Sequence, residues 1–478
     1  MFDVTVIGAG VIGGMIAREL AKYRLSVCIV EKENDVACGA SKANSGIVHG
    51  GYDPEPETLK AELNIAGVPL LYEAAKQLHV PIKNNGSLIV AFSEEENAHL
   101  QKLYERGLIN GVADMQLLTG EEVRALEPAL SADITMALHV PMAGIVCPYA
   151  LTIAAVGNAM DNGVTFHRNF EVVAVDEQNG VYTVTAANGA SVQSRFVVNC
   201  AGAYSDKISA MLGETDFTII PRAGEYLLLD KTVGATVSHT IFQVPSAAGK
   251  GILVSPTVDG NLLTGPTALM VDDPADTKTT VAGMDTVMTL AKKSVPTVDF
   301  RQVITSFSGV RASEKNGDFI IRPMTSHPQV LQVAAIDSPG LTSAVAIAQY
   351  AVKQLETMGL TLEINPDFCG EREDTHAFRH MDNAQKNAYI AGHPDYGKIV
   401  CRCETVSEGE IRDAIRRNPR AMDVDGVKRR TRSGMGRCQG GFCSPYVMRL
   451  IAEENGVDMT TVTKKGANSA LLLEVQDV

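Results

Sequence analysis

The sequence predicts an α/β chain carrying a small helical module at its C-terminal end. Three observations support this. A buried strand, a glycine-rich turn and a helix follow one another at the N terminus. Strand-like runs with turn punctuation recur between residues 86 and 267. Two pairs of cysteines near the C terminus each lead into a helix. A chain of 478 residues exceeds one ordinary core, so two or three domains are expected.

The first element is the strand at 3–7, Asp-Val-Thr-Val-Ile, followed by a helix expected over 14–23. Between them lies Gly8-Ala9-Gly10-Val11-Ile12-Gly13. Gly8 permits a tight turn, Gly10 lets backbone approach a pyrophosphate, and Gly13 allows close helix–strand packing. The helix N-terminus, with its free N–H groups and positive dipole end, suits the phosphates. A second strand, Ser-Val-Cys-Ile-Val-Glu-Lys at 26–32, places Glu31 to accept hydrogen bonds from a ribose, with Lys32 beside it. Strand, turn, helix and terminal acid together point to dinucleotide binding, against the alternative of a chance glycine-rich turn. The fingerprint alone does not separate FAD from NAD.

Three later segments favour FAD. ASKANSGIVHGGYD (40–53) is small, polar and glycine-rich, able to pass close to a large cofactor through Ser41, Asn44, Ser45 and Gly46. SRFVVNCAGAYSDKI (194–208) is a buried strand ending in a small-residue turn at Ala201 and Gly202. LQVAAIDSPGLTSAVAIAQYAV (331–352) is a strand, a turn and an apolar helix starting near Thr342, after Gly340 and Leu341. That helix start is suited to stabilise negative charge on a reduced flavin ring. The runs GSLIVAFS (86–93), EYLLLDK (225–231), GILVSP (251–256) and NLLTGPT (261–267) then supply a sheet able to roof a flavin.

Past Pro366 the chain turns polar, and 369–397 reads as a connector with some helix. Cys401-Arg-Cys403 and Cys438-Gln-Gly-Gly-Phe-Cys443 follow. Between the pairs, 407–417 starts a helix with Ser407 as N-cap and Glu410 completing a capping box. A similar start is expected at Ser444. Two cysteine turns feeding helices describe a small metal module. Cys-x-Cys is unusual for zinc, and four thiolates are the usual complement of a [2Fe–2S] centre; zinc, a disulfide or free thiols are the alternatives. The basic run Lys428, Arg429, Arg430, Arg432 and Arg437 either offsets the charge of such a cluster or forms a solvated face. The other five cysteines, at 28, 38, 147, 200 and 369, read as packing residues.

Charge and composition narrow the function classes. A formal charge of −14 argues against nucleic acid or an anionic membrane as the main partner. No apolar run approaches the length of a bilayer crossing, so direct membrane insertion is not expected. The chain enters its first strand at Asp3 without a basic leader. Nine cysteines without a secretory signal suggest a reducing compartment. A cytoplasmic protein is expected, peripheral to the inner membrane face only through partners.

The motifs GAGVIGG, SGIVHGGYDPEPETLKAEL, LTGEEVRALEP, NCAGAYSD, PRAGEYLLLD, SGVRASEKNGDFIIRP and SPGLTSAVAIA resemble those of the D-amino-acid oxidase-like FAD-dependent oxidoreductases. Within that family the resemblance is closest to glycerol-3-phosphate dehydrogenases and L-2-hydroxyglutarate oxidases. TRSGMGRCQGGFC, with the Cys-x-Cys pair, is similar to the bacterioferritin-associated-ferredoxin-like [2Fe–2S] domain. The resemblance implies a Rossmann-like FAD domain at 1–80, 146–214 and 300–365, and an inserted mixed-sheet substrate domain at 81–145 and 215–299. A connector at 366–397, a [2Fe–2S] domain at 398–455 and a tail at 456–478 complete it. It also implies cluster ligands Cys401, Cys403, Cys438 and Cys443, and a cofactor contact at Val172.

Oxidising an alcohol at a flavin requires a base and a clamp for the substrate's anionic end. His49, among glycines, is the candidate base, or else a hydrogen-bonding contact to FAD. Arg311 is the candidate clamp, Arg322 a second phosphate-binding arginine, and Lys250 a point charge on a glycine-flanked turn. The alternatives are surface ion pairs for the arginines and a solvated side chain for the lysine. Where aerobic glycerol-3-phosphate enzymes typically continue HGG with Leu-Arg-Tyr, this chain has Tyr52-Asp53-Pro54. The strand GILVSP also lacks the histidine typical of the hydroxyglutarate branch. No second glycine fingerprint offers a nicotinamide site, so electrons are expected to leave through the cluster to an acceptor protein or additional subunits. The leading expectation is oxidation of sn-glycerol 3-phosphate. L-2-hydroxyglutarate or another 2-hydroxy acid, an amine or amino acid, and a non-catalytic electron-transfer subunit are the alternatives.

Overall fold

The computed structural model describes residues 1–245 and 251–472. The expected first strand runs Phe2–Ile7 at the heart of an eight-stranded sheet, parallel to Val27–Val30 on one side and Ser191–Asn199 on the other. Its alternate side chains serve two cores. Val4 and Val6 face the helices Val11–Leu20, Leu59–Gln77, Pro148–Asp161 and Gly340–Thr357. Ile7 instead packs with Cys28, Val30, Tyr182 and Ile208 on the opposite side. Ser191–Asn199 forks, pairing antiparallel with Val181–Ala186 at one end and parallel with Val330–Ala334 at the other. A Cβ added to Gly67 would stand 2.5 Å from the Thr342 carbonyl oxygen, so glycine sets how closely helix Leu59–Gln77 approaches the start of Gly340–Thr357.

The strand-like runs at 86–93, 225–231, 251–256 and 261–267 all join one nine-stranded mixed sheet, as strands Ser87–Ala91, Ile220–Leu229, Leu253–Pro256 and Leu262–Gly265. Helix Val281–Ser294 covers one face and buries Val287 and Ala291 against Leu227, Leu229 and Val254. The expected boundary at residue 300 is corrected here. Val303–Ser313 pairs antiparallel along the length of Ile220–Leu229 and so belongs to this second sheet.

Three helix starts also differ from expectation. The first helix spans Val11–Leu20, beginning inside the glycine fingerprint, because Gly10 is its extended N-cap. At its far end the chain turns to hydrogen-bond Glu363 through Arg24, which stops the helix short of residue 23. The helix expected near Thr342 starts at Gly340, directly after Pro339. Ser444 is the first helical residue of Ser444–Asn455 rather than its cap; Cys443 holds the cap position and makes no side-chain capping bond.

Helices Glu408–Arg416, Val424–Thr431 and Ser444–Asn455 enclose Ile411, Ile415, Val427, Val447 and Ile451 as a separate small core. Ser407 and Glu410 form the expected capping box. The basic run takes neither expected role in full. Arg429 and Arg430 both bind the buried Asp35 of the first domain, at 2.5 and 2.7 Å. Arg432 reaches Asp259, Asn261 and Glu404, and Arg437 pairs with Asp230. Four of these arginines therefore dock the module onto the other two domains. No helix among the described residues is long and apolar enough to cross a membrane.

Candidate active site and cysteine cluster

One cavity of about 1680 Å³ runs from the glycine fingerprint to the second sheet. Gly8 has φ +106°, and a Cβ there would stand 2.5 Å from the Cys200 carbonyl oxygen. A Cβ on Gly13 would stand 2.0 Å from the Gly8 oxygen, so Gly13 serves helix–strand packing and lies off the cavity wall. At Gly10 a Cβ would meet only the Ser41 hydroxyl, at 3.1 Å, which leaves this backbone open to a ligand. Gly8, Gly10, Val11 and Ile12 line the cavity, and their helix has no side-chain cap and no acid in its first turn. Positive dipole and free donors therefore face the space.

Glu31 follows the end of strand Val27–Val30 and lines the same cavity. Its carboxylate accepts from the backbone N–H of Ala9 at 2.7 Å and of Glu33 at 3.0 Å. Burial raises its pKa despite those bonds. Lys32 lies 3.8 Å over the Tyr204 ring. Val172, Ala201, Gly202, Gly340 and Leu341 also line the cavity. Thr342 does not: its buried hydroxyl accepts from the His49 N–H at 2.9 Å and donates to the Ile47 carbonyl at 3.3 Å, fixing the loop instead.

The loop with Ser41, Asn44, Ser45 and Gly46 forms part of the wall. Ser41 accepts from the Val11 N–H at 2.9 Å. Asn44 folds the loop, donating to the Ala40 carbonyl at 2.9 Å and accepting from the Gly46 N–H at 2.8 Å. The Ser45 hydroxyl lies 3.2 Å from that of Tyr226. His49 follows, its Nε2 3.2 Å from the Ser338 hydroxyl and its carbonyl accepting from Asn64 at 2.9 Å.

Above this loop, strands Ile220–Leu229 and Val303–Ser313 lie in a register that pairs like with like. Arg222 opposes Arg311, Gly224 opposes Gly309, and Tyr226 opposes Phe307. The two aromatic rings stack at 4.8 Å. The glycine pair lets the cofactor loop approach, because a Cβ on Gly309 would lie 1.8 Å from the Ala43 carbonyl oxygen. Arg222 and Arg311 both line the cavity, and neither has a carboxylate partner among the described residues. The Nε of Arg222 is buried without a hydrogen-bond partner. Arg222 escaped the sequence reading, although it stands two residues before Gly224 and hence on the same strand face.

Two other candidate residues fall elsewhere. Arg322 is committed to Glu214, at 3.2 Å, and to Asp216, and does not line the cavity. Its strand, Ile320–Pro323, pairs in the first sheet, which turns the guanidinium toward these acids. Lys250 lies outside the described residues.

Near the C-terminal end of the chain the four cysteines stand as two pairs. The Cys403 and Cys438 sulfurs are 3.6 Å apart. Cys401 hydrogen-bonds Cys443, which, with the backbone N–H groups of Gly434 and Glu404, lowers its thiol to about 5. The Cys438 thiol is also lowered, because N–H groups of Phe442 and Gly440 outweigh its burial. Two thiolates on one tetrahedral metal sit roughly 3.8 Å apart at bond lengths of about 2.3 Å. Among the described residues no three His, Cys, Asp or Glu side chains gather tightly enough to hold a single ion. Four thiols in two facing pairs are the donor set usual for a [2Fe–2S] centre. Of the remaining cysteines, Cys28, Cys147 and Cys200 are buried as expected, Cys38 and Cys200 line the cavity, and Cys369 is exposed.

Comparison with known proteins agrees with both halves. The FAD dependent oxidoreductase family model matches residues 3–354, and the BFD-like [2Fe-2S] binding domain matches 399–453. The chain belongs to the FAD dependent oxidoreductase family. It is 45% identical over 472 residues to a glycerol 3-phosphate dehydrogenase of Caloramator mitchellensis, covering 99% of this chain and 98% of that protein. It is similar to the FAD-bound, dithionite-reduced L-alpha-glycerophosphate oxidase of Mycoplasma pneumoniae, with a TM-score of 0.74 and 34% identity over 78% of this chain and 98% of that one. It is also 34% identical to the mitochondrial L-2-hydroxyglutarate dehydrogenase of Homo sapiens, over 56% of this chain and 61% of that protein.

The residues of this FAD-dependent oxidoreductase fit both cofactors. The glycine turn, the uncapped helix N-terminus and Glu31 suit the dinucleotide, and the two thiol pairs suit a [2Fe–2S] cluster. Gly309→Ala tests the fit of roof to loop. The added methyl would overlap the Ala43 carbonyl oxygen, so the loop must shift at a cost of about 1–3 kcal/mol. The expected result is a clear loss of FAD affinity in a titration of the deflavinated protein, with the iron content unchanged.

Proposed function

We propose that this flavoenzyme oxidises sn-glycerol 3-phosphate to dihydroxyacetone phosphate and sends the electrons through its [2Fe–2S] cluster to an acceptor protein. The Arg222–Arg311 pair is the observation that carries this reading. Like charges directly opposite on neighbouring strands repel, and here no carboxylate among the described residues relieves them. A dianionic phosphate at the cavity wall would neutralise both guanidiniums. The names of the Caloramator and Mycoplasma relatives support the same substrate.

Each residue then has a role. Arg311 and Arg222 hold the phosphate end, and the stacked Tyr226 and Phe307 help exclude water from the roof. His49, oriented through its Thr342 and Asn64 backbone contacts, takes the proton of the substrate hydroxyl at Nε2, beside Ser338. When bound, FAD would supply the hydride acceptor and the cluster a one-electron relay. Cys403 is exposed, and Phe442 between the last two thiols is 85% exposed, which supports delivery to another protein.

A 2-hydroxy acid is the second reading, because a guanidinium fork suits carboxylate as well as phosphate and the human hydroxyglutarate enzyme is similar over part of the chain. Anaerobic titration decides. sn-Glycerol 3-phosphate is expected to bleach the flavin band within the mixing time, with L-2-hydroxyglutarate slower by orders of magnitude. The reverse order would establish the second reading, and no bleaching by either would leave an amine or amino-acid substrate or a non-catalytic electron carrier.

A further inference from the structure

The cavity that holds the dinucleotide fingerprint is not walled by the flavin domain alone. Asp423, Arg429, Lys465 and Ala467 line it from the iron–sulfur side. They stand at the end marked by Glu31, where the segment after strand Val27–Val30 meets the module. Asn34 donates to Asp423 at 2.5 Å, and Gly466 packs against the Asn34 side chain. The tail is held in place by its own backbone: Val424 and Asp425 donate to the Thr463 and Lys464 carbonyls at 3.2 and 2.9 Å.

Two cations on this wall are not fully used. Arg429 is only 7% exposed. It gives one terminal nitrogen to Asp35, yet its Nε is buried without a hydrogen-bond partner. An orphaned guanidinium N–H is costly in a protein interior, and such groups find partners in native structures. Lys465 has no ion-pair partner among the described residues. Arg429, with one terminal nitrogen given to Asp35, and Lys465, with no ion-pair partner among the described residues, thus line the space next to the ribose acceptor Glu31.

We propose that the iron–sulfur module is part of the FAD site. Arg429 and Lys465 bind oxygens on the adenosine side of the dinucleotide, and loading the cofactor fastens the module to the flavin domain. Binding linkage is reciprocal, so whatever factor the docked module adds to FAD affinity, FAD adds to docking. The cofactor then adds to the ion pairs that already dock the module and holds the two redox centres more firmly in register. Assembly of one site reports on the other.

The test uses the full-length protein, deflavinated and retitrated with FAD by flavin fluorescence, alongside hydrogen exchange of residues 423–432 and 462–468. Lys465→Glu and Arg429→Lys are each expected to weaken FAD about tenfold, the loss of one charge-assisted hydrogen bond. FAD should slow exchange in both segments, whereas FMN, which lacks the adenosine half, should not. Iron content confirms that the module remains folded. Should Arg429→Lys undock the module, the exposed Lys465→Glu decides by itself, since the Lys465 side chain has no ion-pair partner among the described residues. FAD affinity within twofold of the wild type, together with module exchange indifferent to FAD, would overturn the proposal. In that case the Arg429 N–H is answered by water.

Discussion

Replacing Arg311 with alanine is expected to cut kcat/KM for sn-glycerol 3-phosphate by about 10²–10³-fold, since hydrogen bonds to charged groups contribute about 1.5–3 kcal/mol each and the guanidinium can offer two. Flavin content should not change, because Arg311 approaches the roof side of the cavity and makes no bond to the fingerprint or the cofactor loop. Arg222→Ala should lose less, and the double variant less than the sum, because the two share one anion. Arg311→Lys keeps the charge without the fork and should recover only part of the loss. Inorganic phosphate, as a competitive inhibitor, should weaken in parallel with the substrate. A glycerol-3-phosphate activity within a few-fold of wild type in Arg311→Ala would remove the arginine pair from the substrate site.

Asp35→Ala should have the largest effect on stability. Asp35 is 1% exposed and receives Arg430 through both carboxylate oxygens and Arg429 through one. Removing it leaves two buried guanidiniums facing each other, a loss of about 3–5 kcal/mol for breaking one side of a buried ion pair. That loss falls on the seam between module and flavin domain. The first sign should be protease cleavage in the 366–397 connector under conditions where the wild type resists.

The pH dependence of this clamp has a definite sign. Burial pushes the Asp35 carboxyl up, but Arg430 and then Arg429 beside it hold it well below the ordinary carboxylate range. A carboxyl lowered in the folded state contributes its stability in full above its unfolded value of about 3.9, and loses it as pH falls toward the folded one. Wild type and Asp35→Asn should therefore differ most in denaturant midpoint from about pH 5 upward, and converge as the solution is acidified. A gap that stays constant down to pH 2 would mean the clamp stabilises by shape rather than by charge.

The sequence by itself determined several features carried by residues close in the chain, although helix starts such as the one at Ser444 shifted by a residue or more. Gly8, Gly10 and Gly13 lie within one turn, so their spacing describes the phosphate loop directly. Ser407 and Glu410 describe their own capping box, and the cysteine spacings describe a two-pair metal module. Each depends on backbone geometry over a few residues, which composition and spacing encode.

Only the tertiary structure decided which distant side chains meet. Arg222 and Arg311 become neighbours through strand register, and a one-residue slip would turn one of them to the opposite face. Arg322 looks equally promising in sequence, yet its pairing in the other sheet delivers it to Glu214 and Asp216. The basic run reads as solvated or cluster-facing, while Asp35, 394 residues away from Arg429, converts it into a buried dock. A charge carries no local mark of its partner. Long-range packing alone chooses whether an arginine meets water, a carboxylate or the wall of a cavity.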